Sequence, residues 1–236
     1  EDLVLRWTYN SNAIEGNTLT LKETKIALEG ITIGGKTLRE NALKVVEDLT
    51  IPIHVLVRPR SGDFTYSDSE IDLMVADIEM AKSLGVSGIV SGVLNSDHTL
   101  DIKNTSRLIN AGGGLPFTFH RAFDWISNKE ETLERLDDLG VQRVLTSGGY
   151  TKAIDALETL TTWNRNYNPT ILPGGGINSS NYKVFKTAGF KEIHLSATKI
   201  IDKGEVEIPM NAPKYLVENG RILGDSKEVS IICKGG

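Results

Sequence analysis

RVLTSGG, at residues 143–149, is a short apolar run that ends in a pair of glycines. This pattern is typical of a buried strand that enters a tight loop before a helix. It recurs downstream in ILPGGGI (171–177), and upstream LPFTFHRAFD (115–124) and IPIHVLVRPRSGDF (51–64) each end an apolar run in polar residues. From residue 51 onward, apolar and amphipathic stretches therefore alternate, which predicts βα units around a parallel sheet.

Six units of this kind can be counted. Each candidate strand is rich in Val, Ile, Leu or Phe, as strands buried on both faces tend to be. The candidate strands are 51–58, 88–93, 115–120, 141–146, 169–173 and 191–195. Because a TIM barrel closes with about eight strands, we predict an α/β protein with a TIM-barrel-like (βα) repeat that is incomplete.

Capping patterns predict where the helices begin and end. Ser67 with Glu70, and Ser127 with Glu130, have the spacing of capping boxes, and the first pair precedes the apolar stripe of a helix over 68–84. Glycines that follow an apolar stripe commonly close a helix. Three are placed to do so here: Gly85, Gly140 and Gly189.

The amino-terminal segment, residues 1–40, predicts helices instead of strands. Thr20 with Glu23 and Thr37 with Glu40 are further capping boxes, so helices are expected near 21–29 and 38–49. We assign residues 1–40 to this helical segment and residues 41–236 to the barrel domain.

The barrel domain ends in a tail that follows residue 205 and fits the βα pattern poorly. It contains two short β-prone runs, GEVEIPM (204–210) and EVSIIC (228–233). Both are bounded by turn residues, so we predict a terminal hairpin there.

The composition is that of a soluble globular chain. It has 236 residues, of which 39% are hydrophobic and 24% charged, and a formal net charge of −5. Nucleic acids and anionic membranes need basic surfaces, so neither is an expected partner. Cys233 is the one cysteine, no run approaches the roughly 20 apolar residues of a membrane span, and Glu1 and Asp2 begin no signal peptide. We expect a cytoplasmic protein.

Arg58 and Arg60 end the first strand of the repeat, with Pro59 between them. Alternation places both side chains on the same side as His54. Guanidinium groups in this arrangement match a carboxylate or a phosphate, so we predict that the two arginines bind a small anionic ligand. The alternative is that each arginine pairs with a nearby carboxylate such as Asp63.

The segment LPFTFHRAFD places His120 at the end of a strand, with Arg121 and Asp124 in the loop that follows. In a βα barrel the reactive groups gather at the carboxyl ends of the strands. A titratable imidazole, a fixed cation and a carboxylate that can orient the imidazole suit proton transfer. We predict His120 as a catalytic acid or base oriented by Asp124, with Arg121 beside them; the alternative is a hydrogen-bonded structural histidine.

Two glycine clusters follow later strands, where backbone amides without side chains can approach an anion. Phosphate sites of barrels often form in these late loops. The predicted anion-binding residues there are Ser147, Gly148, Gly174, Gly175, Gly176 and Ser196. His194 shares a strand face with Ser196, and it is expected either at the same mouth or in the core. Tight loops also need glycines when they bind nothing.

A specific metal site is not expected. Cu(I) prefers thiolate and thioether ligands, yet the chain has one Cys and three Met and no cluster of them. His54, His120 and His194 are suitable ligands for Cu(II) or Zn(II), but nothing in their spacing predicts that they converge.

Taken together, the motifs between about residues 41 and 205 resemble those of the CutC family of copper homeostasis proteins, a TIM-barrel family. RPR and GDF, within residues 58–64, match the pattern of that family at every letter. The resemblance implies a role in copper homeostasis and a barrel with two further strands upstream. The cysteines suspected of binding copper in relatives lie on those two strands, so copper is implied by the family alone and no ligand is carried over to this chain.

SNAIEGN, at residues 11–17, resembles the inhibitory motif of the Fic family. In that family a Ser and a Glu on a helix, here Ser11 and Glu15, obstruct nucleotide binding by engaging an arginine of the catalytic core. The Fic His-Pro-Phe loop is absent, since none of the four histidines precedes a proline, so adenylyl transfer is not expected. The resemblance implies a separate Fic core as a partner in trans, or a helical adaptor without a retained task.

Three functions remain open on these residues. The first is a CutC-like barrel that binds, or acts on, a small phosphorylated molecule. The second is an interaction module, in which case Glu15→Gly would abolish the capture of a Fic core. The third is a chimeric fragment without a function, whose exposed sheet edges associate or aggregate. A well-defined homo-oligomer would count against this third interpretation.

Overall fold

In the computed structural model, the residues described are 52–202 and 220–234, together with the backbone of two short strands. These strands, β1 (Thr32–Ile33) and β2 (Lys36–Thr37), pair antiparallel. The helices predicted near 21–29 and 38–49 lie outside the described residues.

A parallel sheet of five strands forms the centre of the fold, and its strands are ordered as they occur along the chain. They are β3 (His54–Leu56), β4 (Gly88–Ser91), β5 (Phe117–Phe119), β6 (Arg143–Thr146) and β7 (Thr170–Pro173). Each lies within a segment that the sequence predicts as a strand. The sixth predicted strand is reduced to one parallel bridge between Gly174 and His194. The α/β, TIM-barrel-like fold is therefore confirmed.

Helices alternate with these strands. They are α1 (Asp68–Ser83), α2 (Ile102–Gly112), α3 (Lys129–Asp138), α4 (Leu157–Asn166) and α5 (Tyr182–Thr187). The capping box of Ser67 and Glu70 is present at the start of α1. The box predicted for Ser127 is wrong by one residue, because α3 has Asn128 at its N-cap and no side-chain cap hydrogen bond.

The two faces of the sheet have different surroundings. Ile89 pairs with Phe117 on one face, and both are buried in the core cluster that also contains Ile71 of α1. On the other face, Val90 and Leu172 remain half-buried. The helices therefore cover one face, and the opposite face corresponds to the interior of a barrel.

The tail differs from its prediction. β8 (Thr198–Asp202) pairs antiparallel with β9 (Gly220–Gly224), and residues 204–210 lie outside the described part of the chain. EVSIIC is not a strand but lies in a helix, α6 (Ser226–Lys234). Asp225 starts this helix by accepting hydrogen bonds from the backbone N–H groups of Lys227 (3.0 Å) and Glu228 (3.4 Å). This N-cap signal outweighs the β propensity of the apolar residues.

Within the described ranges, no helix combines the length and the apolar character that a membrane span requires.

Candidate anion site at the carboxyl edge of the sheet

The predicted site residues divide between the two edges of the sheet. His120 directly follows β5, Ser147 follows β6 and Gly174 follows β7, so all three lie at the carboxyl edge because the strands are parallel. His54 and Arg143 begin β3 and β6, and they lie at the opposite, amino edge. The carboxyl edge is therefore the candidate site.

Asp124 organises the loop that follows β6. Its carboxylate accepts hydrogen bonds from Ser147 N (3.0 Å), Gly149 N (3.2 Å), Ser147 Oγ (3.0 Å) and the hydroxyl of Thr146. Gly148 N donates to Thr146 Oγ1 (2.9 Å). These amides are thus bonded inside the protein, whereas the sequence predicts ligand contacts for Ser147 and Gly148. The loop is an anion-binding nest, and its anion is the side chain of Asp124.

Arg121 is the cation that this loop holds in place. Its Nε lies 2.7 Å from Asp124 Oδ2, and its Nη2 donates to Ser147 Oγ at 2.8 Å. The side chain stays 40% exposed, so part of the guanidinium faces solvent. The contacts with Asp124 and Ser147 therefore fix the orientation of the guanidinium, and the cation is still accessible to a ligand.

Gly175 brings the loop after β7 against Arg121. A Cβ atom on this residue would lie 3.5 Å from Arg121 Nη1 and 3.2 Å from Ser147 Cβ, and its φ of +114° is one that side-chain-bearing residues rarely adopt. Within the described residues, the amides of Gly175 and Gly176 donate to no acceptor. The amide of Gly175 is therefore available to a ligand beside the cation, and the amide of Gly176 follows it in the same loop.

His194 lies at the same edge. A Cβ on Gly174 would lie 2.5 Å from Leu145 Cδ1 and 3.3 Å from His194 Cβ, so a larger residue would collide with Leu145 and also crowd the histidine. Burial, and secondly the positive charge of Arg121, lower the pKa of His194. Ser196 is exposed and accepts a hydrogen bond from Thr198 Oγ1 (3.3 Å), and no described contact joins it to this group.

His120 is buried, with 2% of its surface exposed. Its Nδ1 accepts a hydrogen bond from Ala122 N (3.3 Å), and its Nε2 has no hydrogen-bond partner in the described structure. Because Nδ1 is an acceptor, the neutral ring carries its proton on Nε2. The prediction that Asp124 orients this imidazole is wrong, since Asp124 is bonded to Arg121 and to the loop after β6.

The charge state of His120 follows from its surroundings. Burial, together with the positive charge of Arg58, lowers the pKa of His120 to about 3. At neutral pH the ring is therefore uncharged. An uncharged ring with its proton on Nε2 donates a hydrogen bond and does not accept a proton there, which differs from the acid or base role expected from the sequence.

Arg58 lies close to His120 under a shared cover. It is 9% exposed, its Nη2 donates to Gly62 O (2.6 Å), and its Cζ lies 4.5 Å from the centre of the Phe64 ring. The centre of the same ring lies 5.0 Å from that of His120. Phe64 thus covers both groups. In the sequence it is only the last residue of the GDF motif, and nothing there predicts this role.

Arg60 does not join Arg58. Its Nε lies 2.7 Å from Glu70 Oε1, and its Nη2 lies 2.9 Å from Asp63 Oδ1 and donates to Thr65 O at 2.7 Å. Arg60 therefore follows the alternative expectation, in which the arginine pairs with nearby carboxylates such as Asp63. The predicted anion site formed by Arg58 and Arg60 together is therefore wrong for Arg60, and only Arg58 lies beside His120.

The comparisons with known proteins agree on one family. The model of the CutC family matches residues 21–199. This chain belongs to the CutC family. The match contains the whole five-stranded sheet and the site described above, and it begins upstream of residue 41, where we place the start of the barrel domain.

Individual relatives support the membership in the CutC family. A CutC protein of Enterobacter sp. (strain 638) is 40% identical over 168 residues, which is 70% of this chain and 68% of the relative. One of Salmonella typhimurium is 41% identical over 166 residues, 70% of this chain and 67% of the relative. A solved structure from Streptococcus agalactiae, described as a candidate copper homeostasis protein CutC, has a TM-score of 0.63 and 31% identity, covering 72% of this chain and 83% of that chain.

The amino edge of this CutC-family sheet has a separate polar group. Arg143 forms a bidentate ion pair with Glu192, with Nε–Oε2 at 2.6 Å and Nη2–Oε1 at 3.1 Å. Burial, followed by the charge of Arg143, lowers the pKa of His54. Because His54 lies at the amino edge, it is at the opposite end of the sheet from His120 and His194. The described residues contain no group of three or more His, Cys, Asp or Glu that could hold a metal ion.

Ser11 and Glu15, the residues of the Fic-like motif, lie outside the described residues. Their predicted inhibitory role stays a prediction.

Proposed function

We propose that this CutC-family chain binds a small phosphorylated molecule at the carboxyl edge of its sheet. The observation that carries the proposal is the placement of Arg121, which is fixed by Asp124 and Ser147 and lies against Gly175. Within the described residues the amides of Gly175 and Gly176 donate to no acceptor, and Gly175 adjoins the cation. A guanidinium beside backbone N–H groups is the arrangement that binds phosphate oxygens in late barrel loops.

The electrostatics of the edge favour an anion. The charge of Asp124 is matched by Arg121 and by hydrogen bonds from the loop, so it repels a ligand only weakly. The lowered pKa values of His120 and His194 keep both rings neutral at pH 7. The positive charges of Arg58 and Arg121, which disfavour protonation of the two histidines, would also repel a divalent cation.

Copper is the ligand suggested by the description of the Streptococcus agalactiae relative as a candidate copper homeostasis protein. The described residues of this chain do not fit a copper site. Cys233 is exposed on α6, and no cluster of three or more His, Cys, Asp or Glu exists in the described ranges. The proposal therefore involves no step with copper.

Binding is proposed here and no reaction is assigned. The neutral His120 can donate a hydrogen bond to a ligand oxygen, which positions or polarises a substrate. Such a site suits a binding protein, or an enzyme in which the ligand itself supplies the acid and the base.

The test is isothermal calorimetry with ethyl phosphate on the folded chain, paired with thermal unfolding. Saturation at a hundredfold excess over the dissociation constant should raise the free energy of unfolding by about 2.7 kcal/mol. Arg121→Gln should weaken binding at least tenfold because the guanidinium is lost, and Arg121→Lys should weaken it less.

Arg107→Gln is the matched control, since the Arg107 side chain is 39% exposed, like that of Arg121 (40%), and pairs with Asp72 (2.7 Å) outside the site. Equal losses in the two Gln variants would refute the site. A folded wild-type chain that does not bind ethyl phosphate but binds Cu(I) or Cu(II) would refute the proposed ligand class.

A further inference from the structure

Lys152 lies beside the glycine loop that follows β7, although nothing in the sequence singles it out. It belongs to the loop after β6 and directly precedes a short 3-10 helix, Ala153–Ala156. A Cβ atom on Gly176 would lie 3.3 Å from Lys152 Cγ and 3.7 Å from both its Cβ and its Cδ. The aliphatic stem of the lysine therefore lies along Gly176, next in the chain to the glycine that lies against Arg121.

We infer that Lys152 is a second cation of the proposed phosphate site, and that the site prefers phosphate monoesters to anions with a single negative charge. The inference rests on the proposed function, in which Arg121 and the loop after β7 hold the phosphate. It specifies that function further, because it names another residue that contacts the ligand and the charge that the ligand carries.

The backbone next to Lys152 is held against the loop after β7. Ala153 N donates to Gly175 O at 3.0 Å, and a Cβ atom on Gly175 would lie 3.4 Å from Thr151 O. The residues on both sides of the lysine thus join the two loops. Since the stem of Lys152 is also packed on Gly176, binding a ligand there costs this side chain less conformational freedom than it costs a fully solvated lysine.

The carbonyl groups of the same loop already have donors. Gly175 O accepts from Ala153 N, and Gly176 O accepts from the side-chain amides of Asn178 (3.3 Å) and Asn181 (2.9 Å). The amides of the two glycines donate to no acceptor within the described residues. This segment therefore offers donors rather than free acceptors, which suits an anion between the segment and the lysine ammonium.

No carboxylate of the described residues forms an ion pair with Lys152. Asp155, three positions further on, is exposed and is not paired with it either. Arg121, in contrast, is paired with Asp124 at 2.7 Å. The Arg121–Asp124 pair is close to neutral as a whole, so Lys152 supplies the net positive charge beside Gly176.

The proposed site lies on the surface of the two loops and needs no enclosed cavity. Lys152 and Gly176 are exposed, and the side chain of Arg121 is 40% exposed. Backbone N–H groups and cations can hold a phosphate head group in such a place while water stays on its outer side. The binding therefore depends mainly on charge.

The charge of Lys152 favours a phosphate monoester over a sulfate ester or a carboxylate. A monoester carries about −1.5 to −2 charges at pH 7, whereas the other two groups carry a single negative charge. Coulomb attraction is proportional to the charge of the ligand, so the ammonium stabilises a dianion about twice as much as a monoanion of the same shape.

Two substitutions separate the charge of Lys152 from the cover that its stem gives to Gly176. Lys152→Met keeps an unbranched apolar stem and removes the charge, whereas Lys152→Arg keeps the charge. Lys82→Met is the matched control, because the exposed Lys82 also lies against a glycine, with its Cδ 3.5 Å from a Cβ atom on Gly113. Gly113 ends α2 and precedes β5, so it lies towards the amino edge, away from the site.

The experiment is isothermal calorimetry at pH 8 with ethyl phosphate and with ethyl sulfate, which has the same shape but a single charge. The wild-type chain should bind ethyl phosphate about tenfold more tightly than ethyl sulfate. Lys152→Met should weaken the binding of ethyl phosphate on the order of tenfold and that of ethyl sulfate roughly threefold, since the lost attraction scales with the charge. Lys152→Arg should stay within about threefold of the wild type, and Lys82→Met should change neither affinity.

The outcomes for Lys152 and for the proposed function can be told apart. The inference is overturned if Lys152→Met binds ethyl phosphate as tightly as Lys82→Met does, or if the wild-type chain binds both probes equally. A loss of ethyl phosphate binding in Arg121→Gln but not in Lys152→Met would leave the proposed function intact and exclude Lys152 alone. The reverse result would support Lys152 and exclude Arg121 as the main phosphate contact. A wild-type chain that binds neither probe would overturn both proposals.

Discussion

Asp124→Asn is the substitution with the largest expected effect on stability at the site. The carboxylate accepts hydrogen bonds from Arg121, from the amides of Ser147 and Gly149, and from the hydroxyls of Ser147 and Thr146. All of these groups are donors. An asparagine presents an NH₂ group to one side of this set, so at least one donor faces another donor.

The magnitude follows from the burial of the two partners. The Asp124 side chain is 8% exposed, and breaking a buried, hydrogen-bonded charge typically costs about 3–5 kcal/mol. Arg121 is 40% exposed, so water replaces part of its lost interaction and the lower end of the range applies. We expect a loss of about 3 kcal/mol, or roughly 6–12 °C in the midpoint of unfolding for a chain of this size.

Urea unfolding of the purified chain at pH 7 measures this loss directly. The matched control is Asp72→Asn, because Asp72 also pairs with an arginine at 2.7 Å but its side chain is 69% exposed. That variant should lose no more than about 1 kcal/mol. A loss below about 1 kcal/mol in Asp124→Asn, or one equal to that of the control, would refute the conclusion that this carboxylate holds the loop after β6 together.

Two further predictions concern pH and a glycine. The folded-state pKa of His120, about 3, lies below the ordinary value of 6.5, so below pH 6.5 the unfolded chain binds a proton that the native state does not. The free energy of unfolding should therefore fall as the pH decreases from about 6.5 towards 3, by up to about 1.4 kcal/mol per pH unit from this group; urea titrations in which His120→Asn falls as steeply as wild type would contradict this. Gly148 (φ +74°) and Gly140 (φ +76°) have nearly the same backbone, but a Cβ on Gly148 would overlap Ala156 Cβ and one on Gly140 meets nothing within 4 Å. Gly148→Ala should thus cost about 1–3 kcal/mol more than Gly140→Ala, and equal midpoints in thermal unfolding would exclude the clash.

The strands were predictable because their pattern is local. A run such as Phe117–Phe119 is apolar on both faces, and β7 is followed by glycines that a tight loop requires. The start of α1 was predictable for the same reason, since Ser67 and Glu70 contact each other within one turn. EVSIIC was mistaken for a strand because its apolar residues were given more weight than the cap at Asp225.

The site was only partly predictable. The parallel sheet implies that His120, Arg121 and the late glycines share one edge, and this can be derived from their positions after strands. The partners of Asp124 could not be derived, because a carboxylate in a loop can turn either to the imidazole before it or to amides more than 20 residues away in the chain. The separation of Arg58 from Arg60 also depends on where Glu70 and Phe64 fold back.

The sequence by itself determined the class of fold, the edge at which the polar residues gather, and the membership in the CutC family, since each of these is written in short motifs and their order. Only the tertiary structure decided which polar groups are already bonded to one another and which remain available. Burial beneath Phe64 leaves His120 neutral with a donor that has no partner in the described structure, and the fit of Gly175 against Arg121 leaves its amide beside a fixed cation. These properties come from packing between segments that are distant in the chain, and no local pattern encodes them.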